Sequence, residues 1–276
     1  MGEHGELDLG TKVDLHTDRP HPARVYDYLL GGKDNFAADR EAAQKGLQAN
    51  PDSRIPPREN RLFLRRAVRF LAEQGIDQFL DIGTGIPSAP NVHHVAQGID
   101  PRSRIVYVDN DPIVLAHARA LLTSDPRGRT DYIDADLRDV DSILGSPAMS
   151  DTLDLNRPVG LLLIAILHFV GDEDDPWTIV ERLLAALPSG SYLAVSHLTG
   201  DFRPEAWEKV AEVYRRQGVT MKVRSRPEIE RFFTGVELVD PGLQILPAWR
   251  PSLGEPTEPQ PSDAQVSVYG AVARKP

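Results

Sequence analysis

The sequence contains no cysteine in its 276 residues, so disulfides, thiol nucleophiles and cysteine metal ligands are all excluded. Long apolar runs are missing as well. The longest, residues 159–167, is far shorter than the ~20 residues that a membrane-spanning helix needs. Residues 1–20 are polar and acidic and lack the apolar core of a signal peptide. These absences predict a cytoplasmic protein with no membrane partner.

Basic residues are outnumbered: 31 Lys and Arg stand against 41 Asp and Glu, which gives a formal net charge of −10. A general nucleic-acid-binding protein needs a basic surface, so the charge argues against nucleic acid as a partner. The hydrophobic share of 41% and the charged share of 26% are typical of globular proteins. The length suffices for one sizeable α/β domain.

Residues 79–87 (FLDIGTGIP) predict a short buried strand, a glycine turn and a helix that begins near Pro87. Gly83 and Gly85 can adopt backbone angles closed to other residues and allow a ligand to lie against the main chain. The N–H groups of the following helix are expected to face the same ligand. Asp109 ends the next predicted strand, where doubly wound nucleotide-binding folds place a carboxylate that accepts ribose hydroxyls. The pattern therefore predicts a site for a ribose-containing ligand.

Two residues around the turn distinguish between possible cofactors. A dinucleotide fingerprint, G-x-G-x-x-G, has a third glycine where this chain has Ser88. Asp81, two residues before Gly83, is a poor neighbour for a pyrophosphate and a good one for a cation. S-adenosylmethionine (SAM) carries an ammonium and a sulfonium but no phosphate. The pattern D-x-G-x-G therefore favours SAM over NAD.

Strand and helix patterns alternate from residue 78 onward and end in a terminal hairpin, which predicts one twisted α/β sheet rather than two domains. A helix near residues 90–98 follows the glycine turn, and Asp111-Pro112 is a helix-start signal. Further strands are predicted at residues 105–109, 132–136, 158–167, 191–196, 236–239, 243–246 and 265–273. The run at 158–167 is typical of a central parallel strand buried on both faces.

The chain divides into three predicted segments: a disordered N-terminus at 1–20, a helical extension or lid at 21–75, and the SAM-binding domain at 76–276. Helices are expected at residues 21–30, 37–48 and 56–74. The last of these carries a row of arginines, which either is a solvated face or contacts an acidic substrate or the carboxylate of SAM. The row is Arg58, Arg61, Arg65 and Arg69.

Several strings resemble one known family: Arg19-Pro20, residues 23–36 (ARVYDYLLGGKDNF), Asn60-Arg61, residues 79–85, residues 106–112 (VYVDNDP) and residues 168–170 (HFV). Over about residues 19 to 273 the chain resembles a bacterial family of S-adenosyl methyltransferases, long described as a domain of unknown function, within the class I SAM-dependent methyltransferases. The resemblance implies a Rossmann-like α/β sheet, mostly parallel with an antiparallel C-terminal hairpin. It also implies SAM as cofactor and S-adenosylhomocysteine (SAH) as product.

The resemblance assigns roles to individual residues. Asp81 and the two glycines would hold the methionine end of SAM, and Asp109 would accept the ribose hydroxyls. Asn110 would flank the adenine, Asp136 would face its amino group, and the Leu137 amide would meet a ring nitrogen. Tyr28 belongs to a segment that either forms a lid over the cofactor or packs on the domain edge. The predicted cofactor-binding residues are Asp81, Gly83, Thr84, Gly85, Asp109, Asn110, Asp136, Leu137, Ala165 and Tyr28.

His168, just past the central strand, is the candidate catalytic residue: it is either a general base for a hydroxyl or amine, or a structural histidine. His197, after the fifth strand, has the same alternatives. The fourth strand ends in Ala165-Ile166 without a carboxylate, which argues against metal-assisted O-methylation and against amino-methylation of nucleobases. The acidic run at 172–175 suggests either a metal or a helix start, where acids complement the dipole. No metal site is predicted.

The sequence thus predicts a SAM-dependent methyltransferase with a small-molecule acceptor. Methyl transfer needs mainly alignment of nucleophile and methyl group, so the lack of an evident acid–base pair is no objection. One alternative is a non-catalytic SAM-binding sensor or interaction protein, which would lack an acceptor cavity. A second is an NAD-dependent oxidoreductase. Neither the acceptor nor the oligomeric state follows from the sequence.

Overall fold

A computed structural model describes residues 15–121 and 124–276, except for the side chains of 118–121. The strands are β1 (Gln78–Ile82), β2 (Arg104–Asp109), β3 (Arg129–Asp134), β4 (Gly160–Ile164), β5 (Tyr192–Leu198), β6 (Glu237–Leu238), β7 (Gln244–Ile245) and β8 (Val268–Arg274). The helices are α1 (Pro22–Leu30), α2 (Ala37–Ala49), α3 (Ile55–Glu73), α4 (Val92–Gln97), α5 (Pro112–Leu121), α6 (Val140–Leu144), α7 (Pro147–Thr152), α8 (Pro176–Ala185), α9 (Pro204–Arg215), α10 (Arg226–Glu230) and α11 (Asp263–Val266).

Within these residues the strands form one eight-stranded sheet in the order β3-β2-β1-β4-β5-β8-β6, and β7 also pairs with β8. Strands β1 to β5 are parallel, whereas β8 runs antiparallel to β5, β6 and β7. The strand order reverses between β1 and β4, so a crevice opens beyond their carboxyl ends, where doubly wound sheets bind ligands. The predicted mostly parallel sheet with an antiparallel C-terminal hairpin is confirmed.

Strand β4 illustrates why the sequence forms this sheet. Leu161, Leu162 and Leu163 are completely buried, as expected for a parallel strand covered on both faces. The strand ends at Ile164, and the next residue, Ala165, has a φ of 55° in the left-handed region that non-glycine residues rarely adopt. The Ala165 amide donates to Ser196 Oγ at 2.9 Å. Such strain, held in place by neighbours, clusters at functional sites.

The N-terminal helices pack onto the sheet domain. Helix α3 contacts β4, β5 and β8, and α2 packs between α1 and α9. Arg66 on α3 is buried, and its guanidinium donates to the carbonyls of Trp249 at 2.9 Å and Leu246 at 2.6 Å. The extension is therefore anchored to residues near the end of the chain as well as to the strands.

Several predicted boundaries were wrong. The third strand is Arg129–Asp134, so Asp136 stands in the turn that follows it rather than in the strand. The fourth strand ends at Ile164, because Ala165 adopts a positive φ. The last strand begins at Val268, since Ser262 caps a short helix over the preceding residues. Within the predicted disordered N-terminus, residues 15–20 are described, and residues 1–14 lie outside the description.

Candidate functional site

A cavity of about 510 Å³ opens at the carboxyl ends of β1, β2 and β4. We call it the charged cavity, because its lining includes Arg24, Arg61, Asp81, Asp109, Asp111 and Asp136. The structure therefore brings together residues that the sequence placed at the ends of different strands. It also brings residues 15–24 of the N-terminal segment to the same cavity.

The glycine turn lines this cavity with a backbone that requires glycine. Gly83 has a φ of 77°, and a Cβ built on it would lie 2.6 Å from Ile166 Cγ1. Gly85 has a φ of 67°, and its amide donates to Asp109 Oδ2 at 2.8 Å. Thr84 also lines the cavity, and its hydroxyl donates to the Asp81 carbonyl at 3.1 Å. Any larger residue at either glycine would strain the turn.

The helix after the turn does not contribute to the site as predicted. Helix α4 begins at Val92 rather than near Pro87, and the lining of the charged cavity stops at Gly85 in this stretch. The amides at its start have partners elsewhere: Asn91 N donates to His94 Nδ1 and His93 N to Tyr107 Oη. The prediction that the N–H groups of this helix face the ligand was therefore wrong.

Asp81 combines burial with access to the charged cavity. The residue is only 5% exposed, and burial is the main reason why the pKa of its carboxyl rises to about 7. The positive charge of Arg61 lowers this pKa, and the nearby Asp109 raises it. A carboxyl that is costly to ionise becomes a favourable partner for a bound cation. The arrangement suits an ammonium group.

The four arginines of the row on α3 differ in their contacts, and Arg61 is the one that reaches the cavity. Its guanidinium donates to the carbonyls of Ser88 and Pro90, the latter at 2.9 Å, and it lines the charged cavity. Arg65 reaches the Ala89 carbonyl at 3.5 Å. The other two members, Arg58 and Arg69, are exposed. The row thus divides into a solvated pair and a pair that holds the loop after the glycine turn.

Asp109 is the hub of a buried network. Its Oδ2 accepts from Gly85 N, its Oδ1 accepts from Asp111 N at 2.9 Å, and burial raises the pKa of its carboxyl. Asp111 Oδ2 lies 3.1 Å from Arg24 Nε and 3.1 Å from His21 Nδ1. The ion pair connects α1 to the strand end that carries Asp109. These contacts of Asp111 hold the N-terminal segment against the site, and the sequence did not predict them.

Asp136 is engaged by protein groups on both of its oxygens. Oδ1 accepts from Arg138 N and Nε, and Oδ2 accepts from Arg138 Nη2 at 2.6 Å and from Asn110 Nδ2 at 2.9 Å. The Arg138 contacts lower the pKa of the Asp136 carboxyl. Four donors occupy the four lone-pair positions of a carboxylate. The Leu137 amide, by contrast, has no hydrogen-bond partner in the part of the chain that the structure describes.

Tyr28 does not lie at the charged cavity. Its hydroxyl is 3.4 Å from Gln44 Nε2, and the Arg54 guanidinium lies 5.1 Å from its ring centre. Tyr26, on another face of the same helix, lines the charged cavity instead. The two tyrosines are two residues apart, so the ~100° turn per residue points them to opposite sides of α1, and only Tyr26 is in the lining of the charged cavity.

Tyr26 begins a hydrogen-bonded chain that crosses the site. Asn60 Nδ2 donates to Tyr26 Oη at 2.9 Å, and Ser196 Oγ donates to Asn60 Oδ1 at 2.5 Å. Ser196 Oγ in turn accepts from the Ala165 amide. The Tyr26 hydroxyl donates to the Pro57 carbonyl at 3.0 Å. The chain connects α1 and α3 to the strained end of β4, and a fully paired buried network of this kind fixes geometry.

A second cavity, of about 70 Å³, adjoins the first. The two share the wall residues Pro22, Tyr26, Asn60, Ala165 and Phe169. We call the second one the neutral cavity, because none of its described lining residues is Asp, Glu, Lys or Arg. The non-catalytic alternative predicted that an acceptor cavity would be lacking, whereas the structure has a second cavity next to the charged one.

His168 lines the neutral cavity and not the charged one. Burial, with a smaller effect of the nearby Arg224 charge, lowers the pKa of His168 to about 3. The imidazole is therefore neutral at pH 7 but a weak base, which disfavours the predicted general-base role. His197 is structural: its Nε2 accepts from Arg224 Nη1 at 2.9 Å, so its Nδ1 carries the proton and donates to the Leu198 carbonyl.

The acidic run at 172–175 is explained by structure. Asp175 Oδ1 accepts from Thr178 N and so caps α8. Asp172 pairs with Lys222 and Arg224, both at 2.8 Å.

Among the described residues, no helix is both long and apolar enough to cross a membrane.

Comparisons with known proteins identify the family of the chain. Over residues 9–276 the chain matches the model of a family described as S-adenosyl methyltransferase. It is 50% identical to a solved structure from Streptomyces avermitilis, described as a member of a domain-of-unknown-function family, over 95% of this chain and 100% of that one, with a TM-score of 0.90. It is 41% identical to a proposed methyltransferase from Thermobifida fusca, over 95% and 97% of the two chains, with a TM-score of 0.85.

More distant similarity shows the fold alone. An O-methyltransferase family protein from Burkholderia thailandensis is 12% identical over 83% of this chain and 61% of that one, with a TM-score of 0.51. A comparison with curated proteins found no match. The family match spans nearly the whole chain, and it favours SAM over the NAD-dependent alternative. The chain belongs to the S-adenosyl methyltransferase family, and SAM is its methyl donor.

Proposed function

We propose that the protein transfers the methyl group of SAM to a small-molecule acceptor, with SAM bound in the charged cavity and the acceptor approaching from the neutral one. The observation that carries this proposal is the meeting of the two cavities at Ala165, beyond the carboxyl ends of the central strands. A small acceptor fits the limited size of the neutral cavity, and the acidic chain disfavours nucleic acid. The absence of cysteine and of a spanning helix among the described residues supports a cytoplasmic enzyme.

The residues of the charged cavity fit the polar end of SAM. Asp81 would pair with the ammonium, since a bound cation compensates for the burial of its carboxylate. Gly83 and Gly85 allow the main chain to approach the ligand, because their backbone carries no Cβ there. Arg61, which lines the same cavity, would pair with the carboxylate of SAM. Asp109 retains unused lone pairs on both oxygens and would accept the ribose hydroxyls.

The adenine end is assigned differently from the sequence prediction. The unpaired Leu137 amide would donate to a ring nitrogen, and Asn110 would flank the ring. Asp136 would orient Asn110 and Arg138, because its own acceptor positions are occupied. We therefore propose a positioning role for Asp136 rather than a direct bond to the adenine amino group.

The bound SAM supplies a methyl carbon activated by a sulfonium. An acceptor lone pair would displace the methyl carbon from sulfur, the carbon–sulfur bonding electrons would stay on sulfur to give SAH, and the acceptor proton would pass to water. The protein contributes alignment, which alone supplies a large part of the rate in such displacements. Ala165, held in its strained conformation by Ser196, and Tyr26 form the shared wall that would align the two reactants. His168 takes no part as a base in this step, because burial makes its imidazole only weakly basic.

The segment boundaries follow the same logic. We propose that residues 76–276 form the SAM-binding domain and that residues 21–75 form its cover. The Arg24–Asp111 ion pair and the Tyr26–Asn60 hydrogen bond hold this cover against the strand ends. Residues 15–20 belong to the cover as well, because Leu15, His16 and Arg19 line the charged cavity.

Isothermal titration calorimetry with SAM, SAH and NAD tests this assignment. We expect SAM and SAH to bind and NAD not to bind. In Asp109→Ala, the SAH dissociation constant should rise at least about a hundredfold, because charge-assisted hydrogen bonds to the ribose are lost at ~1.5–3 kcal/mol each. The matched control is Asp134→Ala, which removes an exposed carboxylate that pairs in register with Asp109 on the adjacent strand. Equal losses in both variants, or tight NAD binding, would contradict the proposal.

A further inference from the structure

The ring of His21 lines the charged cavity and is held along one edge by neighbouring residues. Its Nδ1 lies 3.1 Å from Asp111 Oδ2, and the Ala23 amide donates to the same nitrogen at 3.3 Å. Asp111 is fully buried, so this edge of the ring is fixed against the interior of the protein. The His21 side chain is nevertheless 25% exposed, so the ring as a whole is not enclosed.

The second ring nitrogen of His21, Nε2, is open to a ligand. It has no hydrogen-bond partner in the part of the chain that the structure describes, and it is not among the polar atoms that the fold shields completely from solvent. Because Asp111 and Ala23 occupy the Nδ1 edge, the accessible edge of the ring is the one that carries Nε2. This is the edge that a molecule in the charged cavity can reach.

Nε2 of His21 is a hydrogen-bond donor whichever charge the ring carries. A neutral imidazole has one N–H and one lone pair, and the contact with the Ala23 amide requires the lone pair on Nδ1. The proton of the neutral ring is then on Nε2. An imidazolium ring has a proton on both nitrogens. The ligand of Nε2 must therefore supply an acceptor atom.

Asp111 places this donor beside the carboxylate that would bind the ribose. Its side chain contacts His21, and its backbone amide donates to Asp109 Oδ1 at 2.9 Å. A ribose hydroxyl that donates its proton to Asp109 keeps the lone pairs of its oxygen, which can accept from a neighbouring N–H. The carboxylate of the cofactor is assigned to Arg61, which holds the loop after the glycine turn instead. The ribose is therefore the acceptor group that fits His21.

We propose that His21 Nε2 donates a hydrogen bond to a ribose hydroxyl oxygen of the bound cofactor and that Asp111 is the positioning residue that orients the ring. The N-terminal segment then contributes a direct contact to the cofactor in addition to its cover. The contact selects ligands whose ribose hydroxyls are intact. This inference rests on the proposed function, because it assigns a further contact of the same cofactor.

Two ligands and one variant test the contact on the full chain. SAH and its 2′,3′-dideoxy analogue differ only in the two ribose hydroxyls, and calorimetric titration measures the dissociation constant of each. His21→Asn removes Nε2 but keeps a side-chain oxygen that can accept from the Ala23 amide at the start of α1. Arg24 stays beside Asp111 in this variant, so the buried carboxylate keeps a counter-charge.

The expected result is a loss that depends on the ribose hydroxyls. His21→Asn should raise the SAH dissociation constant about threefold to tenfold, as for one lost hydrogen bond. The dideoxy analogue offers no hydroxyl to His21, so the same variant should change its dissociation constant by less than about twofold. An unchanged SAH affinity would make His21 a solvated residue only, and equal losses with the two ligands would assign the effect to the shape of the site. Either result overturns the inference.

His117→Asn is the matched control. His117 is another half-buried histidine beside an aspartate: its side chain is 29% exposed, its Nε2 lies 3.7 Å from Asp34 Oδ1, and it lines neither cavity. The change should leave the dissociation constants of both ligands as they are in the wild type. A loss of SAH affinity equal to that of His21→Asn would overturn the inference.

The imidazole nitrogens of the wild type give a measurement that does not depend on the folding of a variant. In the ¹⁵N-labelled protein, the Nε2 resonance of His21 should shift when SAH binds and should shift much less with the dideoxy analogue. Equal shifts with the two ligands would contradict the contact, even if thermal melting shows His21→Asn to be unfolded.

Failure of the two proposals can be told apart. If the wild type does not bind SAH, the charged cavity is not the cofactor site and the proposed function fails. If SAH binds and Asp109→Ala loses affinity while His21→Asn does not, the cofactor assignment stands and the contact of His21 is wrong.

Discussion

The two adjoining cavities differ in chemistry although they share five wall residues. The charged cavity has about 510 Å³ and contains carboxylates and guanidinium groups, several of them paired with each other. The neutral cavity has about 70 Å³ and no charged side chain in its described lining. Methyl transfer needs a zwitterionic, cationic cofactor on one side and a nucleophile on the other. The fold therefore provides a polar and an uncharged environment on the two sides of one shared wall.

The difference has a physical basis in how each cavity treats a charge. In the charged cavity, backbone amides and counter-charges around Asp109 and Asp111 compensate for burial. In the neutral cavity nothing compensates, so His168 remains uncharged with a pKa of about 3. The same ionic group should therefore be tolerated on one side of the wall and destabilising on the other.

Placing a carboxylate on each side is the strongest test of this comparison. Val210 on α9 is 2% exposed and lines the neutral cavity. Val210→Asp should lower the free energy of unfolding by about 3 kcal/mol or more, because the new carboxyl is buried without a partner. Thr220 lines the charged cavity and is half-buried, so Thr220→Asp should cost less than ~1 kcal/mol. Urea unfolding of both variants measures the difference. Similar losses at the two positions would remove the distinction between the cavities.

A smaller effect is expected from the pH dependence of cofactor binding. Asp81 titrates at about pH 7 because burial raises its pKa, and pairing with an ammonium requires the ionised form. Below this pKa, binding must first remove a proton, so affinity should rise as pH increases. Between pH 5.5 and 7 the SAH affinity should increase about tenfold. Calorimetric titration at several pH values measures the slope.

The variant Asp81→Asn identifies the group responsible. It has no proton to lose, so its affinity should be lower and nearly independent of pH over this range. A slope that persists in the variant would assign the titration to another residue, with Asp109 as the next candidate, since burial raises its pKa too.

The smallest effect concerns a residue outside both cavities. Tyr28 contacts Gln44 and Arg54 instead of either lining, so Tyr28→Ala should leave the SAH dissociation constant within about twofold and cost at most ~1 kcal/mol of stability through the lost contact with Arg54. Calorimetry and thermal melting give the two values. A marked loss of SAH affinity would return Tyr28 to the cofactor site and weaken the case for Tyr26.

Local sequence signals pointed to residues that the structure places in the lining of the charged cavity. The strand–glycine turn of residues 79–85 and the strand end at Asp109 are short-range patterns, because parallel strands bring their carboxyl ends to one edge. Contacts between distant segments had no such signal. The Arg24–Asp111 pair joins residues far apart in the chain, and Tyr26 could be told from Tyr28 only by the rotation of α1 on the sheet.

The roles of ionisable groups also depended on their surroundings. Asp136 follows the predicted pattern in sequence, yet Arg138, two residues later, occupies its oxygens. His168 was either a general base or a structural histidine from the sequence, and burial, which lowers its pKa to about 3, disfavours the base. Helix α4 lies within the predicted residues 90–98, with Asn91 as its N-cap, and begins later than the start near Pro87 that the glycine turn suggested.

The sequence by itself determined the class of fold, the family, the cofactor and the glycine turn with its two flanking carboxylates. These depend on the order of apolar residues, on glycine and on charge, which are local properties of the chain. Only the tertiary structure decided that the charged cavity adjoins an uncharged one, which side chains line each cavity and which pKa values are shifted. Those properties arise from burial and from contacts between residues far apart in the chain, and a pattern read along the backbone does not contain them.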